Sequence, residues 1–183
     1  MRIFVAFPLP VKQQAYFREL SKSNPFIPGL RWTPLENLHV TLFFIGEIDP
    51  QHFDEIQNRL TNLFSKVNPF ELQFDQILFV GKPSRSRMIW ARFHPSKSFG
   101  SLSKQIHEQV KPFMSHPPDH PDPIAHITVA RLKKGIDESL VSLSFPVNFL
   151  LPEINRAEIW QTMQGEKGVY YERLVNFSFA ERS

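Results

Sequence analysis

The chain has no cysteine among its 183 residues. That excludes a disulfide framework, thiolate nucleophiles and zinc sites built on Cys ligands. It also lacks any apolar run near the roughly 20 residues needed to span a bilayer. The apolar stretch Ile3-Phe4-Val5-Ala6-Phe7 follows a single basic residue and is cut by Pro8. It therefore reads as a first strand, not a signal peptide. The expectation is a cytoplasmic chain with no membrane partner, which acts as a monomer. No glycine-rich phosphate loop occurs, which argues against nucleoside triphosphate hydrolysis. Net charge is small, +3 from 21 basic and 18 acidic residues, and this mild lean towards anionic partners does not by itself establish nucleic-acid binding.

What is present is an ordinary globular balance: 42% hydrophobic and 21% charged residues, with 18 Phe and 16 Pro. Length and composition predict a single domain over 1–183, made of two closely packed halves. β-Branched and aromatic enrichment between Pro, Gly and Asn predicts strands at 2–7, 38–45, 70–80, 86–93, 124–131, 144–150, 154–162 and 169–179. Helices are expected at 10–22, 50–66 and 97–114. In the second, Asp49-Pro50 is a start signal, and Phe53, Ile56, Leu60, Leu63, Phe64 and Val67 step by three and four along one face. Phe99, Leu102, Ile106, Val110 and Phe113 do the same in the third. The fold class is α+β.

One four-residue pattern occurs twice, 87 positions apart: His39-Val40-Thr41-Leu42 and His126-Ile127-Thr128-Val129. Side chains alternate along a strand, so His39 shares a face with Thr41, and His126 with Thr128. A lone His-x-Thr is usually structural. Two copies bring two imidazoles and two hydroxyls towards one ligand. Imidazole changes charge near neutral pH, so one ring can remove a proton from a nucleophile while the other donates to a leaving oxygen. The hydroxyls can bind the non-bridging oxygens of a phosphate. Such a site needs no metal, no cofactor and no covalent intermediate.

The residues around these motifs strengthen the case. Arg2-Ile3-Phe4-Val5-Ala6, Arg31-Trp32, Glu36-Asn37-Leu38-His39 through Gly46-Glu47, and His126 through Arg131-Leu132 resemble the two-histidine (2H) phosphoesterases. Within these the RNA 2',3'-cyclic phosphodiesterase family, also called 2'-5' RNA ligases, is the most similar. The resemblance extends to a late hairpin, Glu158-Ile159-Trp160 through Tyr170-Tyr171. It implies a bilobal α+β fold with two antiparallel sheets facing across a central cleft and helices outside. It implies hydrolysis of 2',3'-cyclic phosphate RNA ends to 2'-phosphates, with reversible 2'-5' joining. His39 and His126 would be acid and base, with His126 activating water and His39 protonating the 3' oxygen, and Thr41 and Thr128 would clamp the phosphate. Phe4 and Arg131 match positions that handle the base, which they would sandwich by stacking. Strict alternation puts Arg131 on the wrong face, so the strand must bulge or end after Val129. Ala125 stands where the family often has Pro, and Thr162 where relatives often carry a Ser.

Two other functions compete. One is a cyclic phosphodiesterase of the same superfamily acting on a small cyclic nucleotide or similar molecule. The other is an RNA-binding module that uses the same cleft without turnover, although binding alone does not require two groups that titrate near pH 7. His116 and His120 have metal-like spacing, but the prolines around them forbid the helix that would present them. The loop 115–123 leads directly into the second motif and could wall the cleft. Segment 81–87 carries Lys82, Arg85 and Arg87 and reads first as a solvated hairpin loop, second as an RNA contact. Arg31 is placed at the cleft rim.

Overall fold

The computed structural model describes residues 1–24, 27–82, 87–117, 123–135, 153–166 and 168–181. Strands are β1 (Arg2–Pro8), β2 (Leu30–Trp32), β3 (His39–Glu47), β4 (Phe74–Val80), β5 (Arg87–Phe93), β6 (His126–Leu132), β7 (Arg156–Gly165) and β8 (Gly168–Ser178). Helices are α1 (Val11–Ser23), α2 (Phe53–Phe64) and α3 (Lys97–Val110). β1 is apolar at nearly every position because it has a neighbour on each edge, and six of its seven side chains are buried.

The strands run in the order β4-β5-β6-β3-β1-β7-β8, with β2 added beside β6, and every pairing is antiparallel. In place of two separate sheets, the strands form one continuous antiparallel sheet, because β3 pairs with β6; its halves are β1, β3, β7 and β8 on one side and β2, β4, β5 and β6 on the other. They meet where β3 lies beside β6. Among the described residues, that junction has a single register pair, Val40↔Ile127. Both side chains are fully buried. They join one core with Ile56, Leu60 and Phe64 of α2 and with Phe99, Leu102, Ile106 and Val110 of α3. Among the described residues, the helices thus pack on the face that carries Val40 and Ile127, opposite the His-x-Thr face.

Local chemistry explains the boundary differences. Asp49 accepts the Gln51 amide and Pro50 follows it, but they open a 3-10 turn over Pro50–His52, and α2 starts one residue later. Ser96 caps α3 by accepting the Phe99 amide. Pro112 brings no N–H to continue that helix, so the chain tightens into a 3-10 turn over Lys111–Phe113. β2 is too short to show alternation and was not expected. The strand anticipated at 144–150 lies outside the described residues. Among the described residues, no helix is long and apolar enough to cross a membrane.

Ile127→Ala removes a fully buried side chain at the junction, where the surrounding strands cannot close the gap. The expected cost is about 2–5 kcal/mol in urea unfolding. An unchanged midpoint would show that the junction is not packed.

Candidate active site

The junction fixes the relation between the two motifs. Continuing the antiparallel register from Val40↔Ile127 sets Thr128 across from His39 and His126 across from Thr41. The histidines are therefore diagonal on one face, and diagonal residues of such a pair lie about 7–8 Å apart. That leaves room for a tetrahedral anion between two imidazoles, with a hydroxyl beside each.

Both rings are held in the same way. His39 Nδ1–H donates to the Asn37 carbonyl at 2.7 Å, and His126 Nδ1–H to the Ile124 carbonyl at 2.7 Å. A carbonyl can only accept, so the bond fixes the proton on Nδ1 and turns Nε2 to the cleft. His39 Nε2 then accepts from the Thr41 hydroxyl at 3.1 Å. Beneath the rings lie indoles. Trp90 stacks on His126 with ring centres 3.6 Å apart, and Trp160 flanks His39 at 4.9 Å. Burial pushes the His39 imidazole down to about 4, opposed by the Asn37 carbonyl and reinforced by the charges of His126 and Arg173. Burial also lowers His126, against the pull of the Ile124 carbonyl.

The motifs share a further device. Side-chain exposure runs identically along the first seven residues of both strands: half-buried, buried, half-buried, buried, buried, exposed, buried. Against β1, Thr41 pairs with Ala6 and Phe43 with Val5, so Leu42 is an extra residue. Against β5, Thr128 pairs with Trp90 and Ala130 with Ile89, so Val129 is extra. Each bulge reverses the alternation, and the fifth residue after each His comes out on the His face. On β6 that residue is Arg131, by the bulge its position requires. On β3 it is Phe44, which simple alternation assigns to the other face and so conceals, although the spacing His39-to-Phe44 repeats His126-to-Arg131.

Phe4 lies beside His39 with ring centres 5.1 Å apart, yet it is only 2% exposed, packed among His39, Phe44, Trp160 and Tyr171. The open aromatic face belongs to Phe44, which is 42% exposed and stacks nearly parallel over Phe4 at 6.1 Å. The Arg2 guanidinium lies 5.0 Å from the Phe44 ring centre. A groove of about 850 Å³ runs from Thr41 and His126 past Phe44 to Arg2. Ser115, His116, Pro117 and Pro123 form part of its wall, so the described ends of the proline loop do border the cleft; residues 118–122, including Asp119, His120 and Asp122, lie outside the described residues.

Five residues beyond His126 on β6, Arg131 stands directly opposite Arg31 on β2. Both are exposed, and neither has an acidic partner among the described residues. Like charges facing across a ladder repel, so the pair favours an anion. Arg92, opposite His126 on β5, is different: Asp75 takes its Nε–H at 2.8 Å and its Nη2–H at 2.5 Å. Thr162 lies on β7 two residues beyond Trp160, on the same face. Of the basic segment, Gly81, Lys82 and Arg87 are described and 83–86 are not.

Residues 7–90 match the family model described as LigT like Phosphoesterase. An RNA 2',3'-cyclic phosphodiesterase of Archaeoglobus fulgidus is 26% identical over 97% of this chain and 99% of its own length. The enzyme of the same name from Thermotoga maritima is 26% identical over 98% and 96%. Among solved structures, a Thermus thermophilus protein superposes over the full length of both chains with TM-score 0.78 at 21% identity. LigT of E. coli, solved in apo form, covers 98% of both chains with TM-score 0.76 at 18% identity, and has also been solved with 3'-AMP. At these identities the structures establish the shared fold.

Lowered imidazole proton affinities give a pH prediction. The free protein keeps His39 neutral down to about 4, and a bound dianion favours the imidazolium. Anion binding should therefore take up protons, and affinity should fall as pH rises from 5 to 8. Inorganic sulfate, which stays a dianion throughout, is the probe, with calorimetry in buffers of different ionisation enthalpy. Affinity independent of pH, with no proton uptake, would show that the imidazoles do not meet the anion.

Proposed function

We propose that the chain, which over residues 7–90 matches the LigT-like phosphoesterase model, opens 2',3'-cyclic phosphate ends of RNA to 2'-phosphates, without a metal ion. The feature that carries this reading is the diagonal His39/His126 pair with a threonine beside each ring, which follows from the one junction of two strands. The cyclic phosphate sits between the rings, with its non-bridging oxygens on the two hydroxyls. His126 takes a proton from the attacking water. His39 gives a proton to the departing 3' oxygen, and the strained ring opens. A ring whose proton affinity is depressed is a strong donor, and the phosphate's negative charge loads it. With a ribose 5'-hydroxyl in place of water as the nucleophile, the same ring opening breaks the bond to the 3' oxygen and makes a 2'-5' linkage.

Phe44 and Arg131 take the groups on either side of that phosphate. Phe44 offers a sequence-tolerant stacking face for the terminal base, and Phe4 supports it from below. Arg131, with Arg31 beside it, meets phosphate oxygens. The groove towards Arg2 holds more than a phosphate, which favours a nucleotide or an RNA end over a compact cyclic phosphate. A bound partner of this kind, RNA or a cyclic nucleotide, also fits the modest positive charge.

The test is an oligonucleotide ending in 2',3'-cyclic phosphate, incubated in EDTA. A 2'-phosphate product should appear, and His39→Ala and His126→Ala should each lower turnover by about 10²–10⁴-fold. Activity that survives both substitutions, or that requires added metal, would falsify the mechanism. Phe44→Ala should raise KM by about fivefold to a hundredfold, the loss of one stacked base at about 1–3 kcal/mol, whereas a loss confined to kcat would place Phe44 outside the base site.

A further inference from the structure

The two imidazoles are seated alike on backbone carbonyls, but the charged groups behind them differ. Glu158 on β7 is 8% exposed. Its Oε2 accepts the Trp160 indole N–H at 2.6 Å and lies 3.8 Å from Arg173 Nε. Arg173 pairs with Trp160 across the β7–β8 ladder and lays its guanidinium over the indole, Cζ 4.9 Å from the ring centre. Its Nη2–H reaches across to donate to the Glu36 carbonyl at 3.1 Å. The next carbonyl along, that of Asn37, is the one that fixes the His39 proton on Nδ1. The Trp160 ring in turn flanks that of His39.

Two paths therefore run from Arg173 to His39, one through the turn that carries Asn37 and one through the Trp160 ring. Glu158 anchors both. A carboxylate buried beside Ala6 in the sheet is costly unless it is paired, and an apolar side chain would fill the same space without that cost. His126 is built differently: it rests on Trp90, and the guanidinium opposite it on β5 is tied to Asp75.

We propose that Glu158 and Arg173 form a clasp that positions His39, fixing its tautomer through the Glu36–Asn37 turn and its ring plane through Trp160. Both are positioning residues, acting through their neighbours and not on substrate. The clasp also breaks the symmetry of the site, because the guanidinium near His39 lies over its indole, whereas the one opposite His126 is tied to Asp75. The charged and titratable groups around His39 are Arg173 and Tyr171 from β8, Glu158 from β7 and His126 from β6. Removing the positive charge should make His39 easier to protonate. Removing the buried negative charge leaves Arg173 unopposed and should make it harder. The inference rests on the reading of His39 as an acid–base group, and its test separates the two.

The experiment compares the whole protein with Arg173→Gln, Arg173→Lys and Glu158→Gln, using NMR titration of the His39 ring alongside pH–rate profiles on a cyclic-phosphate oligonucleotide. The His39 midpoint should move up in Arg173→Gln and down in Glu158→Gln, and its Nδ1–H tautomer should become mixed in Arg173→Gln. Turnover at saturating substrate should fall about 10–100-fold in both, the scale expected for a group that orients an active residue, with KM little changed. Arg173→Lys keeps the charge but not the planar fork, so the midpoint should stay near wild type while turnover remains low. An unmoved His39 midpoint in both Gln variants, or a rise in KM alone, overturns the clasp. Should Glu158→Gln fail to fold, the exposed Arg173 decides the matter alone. If the wild type turns over no cyclic phosphate while the midpoints still shift in opposite directions, the clasp stands and the proposed reaction falls.

Discussion

The active arrangement depends on one backbone pairing. Val40 and Ile127 are each fully buried and sit side by side where the two half-sheets meet. Their neighbours in sequence, on the opposite face, are the histidines and threonines. The buried side of each strand thus decides where the reactive side goes, since a β-strand cannot move one without the other. Apolar burial against α2 and α3 is the force that holds the junction, and the geometry of the cleft follows from it.

The reactive groups are then oriented by short local contacts. Each imidazole leans on a carbonyl two residues before it, so its tautomer is set by its own strand. Indoles limit the ring planes. Polar groups of the wider cleft divide by whether their charge is already matched. Arg92 is neutralised by Asp75, while Arg31 and Arg131 face each other unmatched among the described residues. Matched charges hold the scaffold; unmatched ones remain available to an anion.

The sequence made the two motifs legible because their pattern is local. His-x-Thr on a strand needs only alternation to be placed on a face, and the doubled copy pointed to two strands that the structure sets side by side. The faces of α2 and α3 were readable for the same reason, at a period of 3.6. What escaped depends on non-local pairing. The bulge at Val129 could be anticipated only as a requirement of Arg131, and the matching bulge at Leu42 was hidden, so Phe44 stayed concealed. Phe4 could be placed on the correct strand, but its depth is set by Phe44, Trp160 and Tyr171 from three other strands. Glu158 and Arg173 are far apart in the hairpin's sequence, and only the β7–β8 ladder, which sets Arg173 across from Trp160, brings both to one indole.

The bulges at Leu42 and Val129 have one more consequence, which concerns chain length. Each adds one residue to a strand, so that two successive side chains, Leu42 and Phe43 or Val129 and Ala130, face the core together. Deleting Leu42 restores plain alternation from Thr41, with Phe43 still in the core and Phe44 still on the His39 face, and deleting Val129 does the same for Ala130 and Arg131. What turns the side chains over is loss of the bulge with the residue retained: a regular ladder over the full count sends Phe44 or Arg131 to the core face. The surface beyond each motif therefore tolerates a strand one residue shorter, but not one of the present length paired without its bulge.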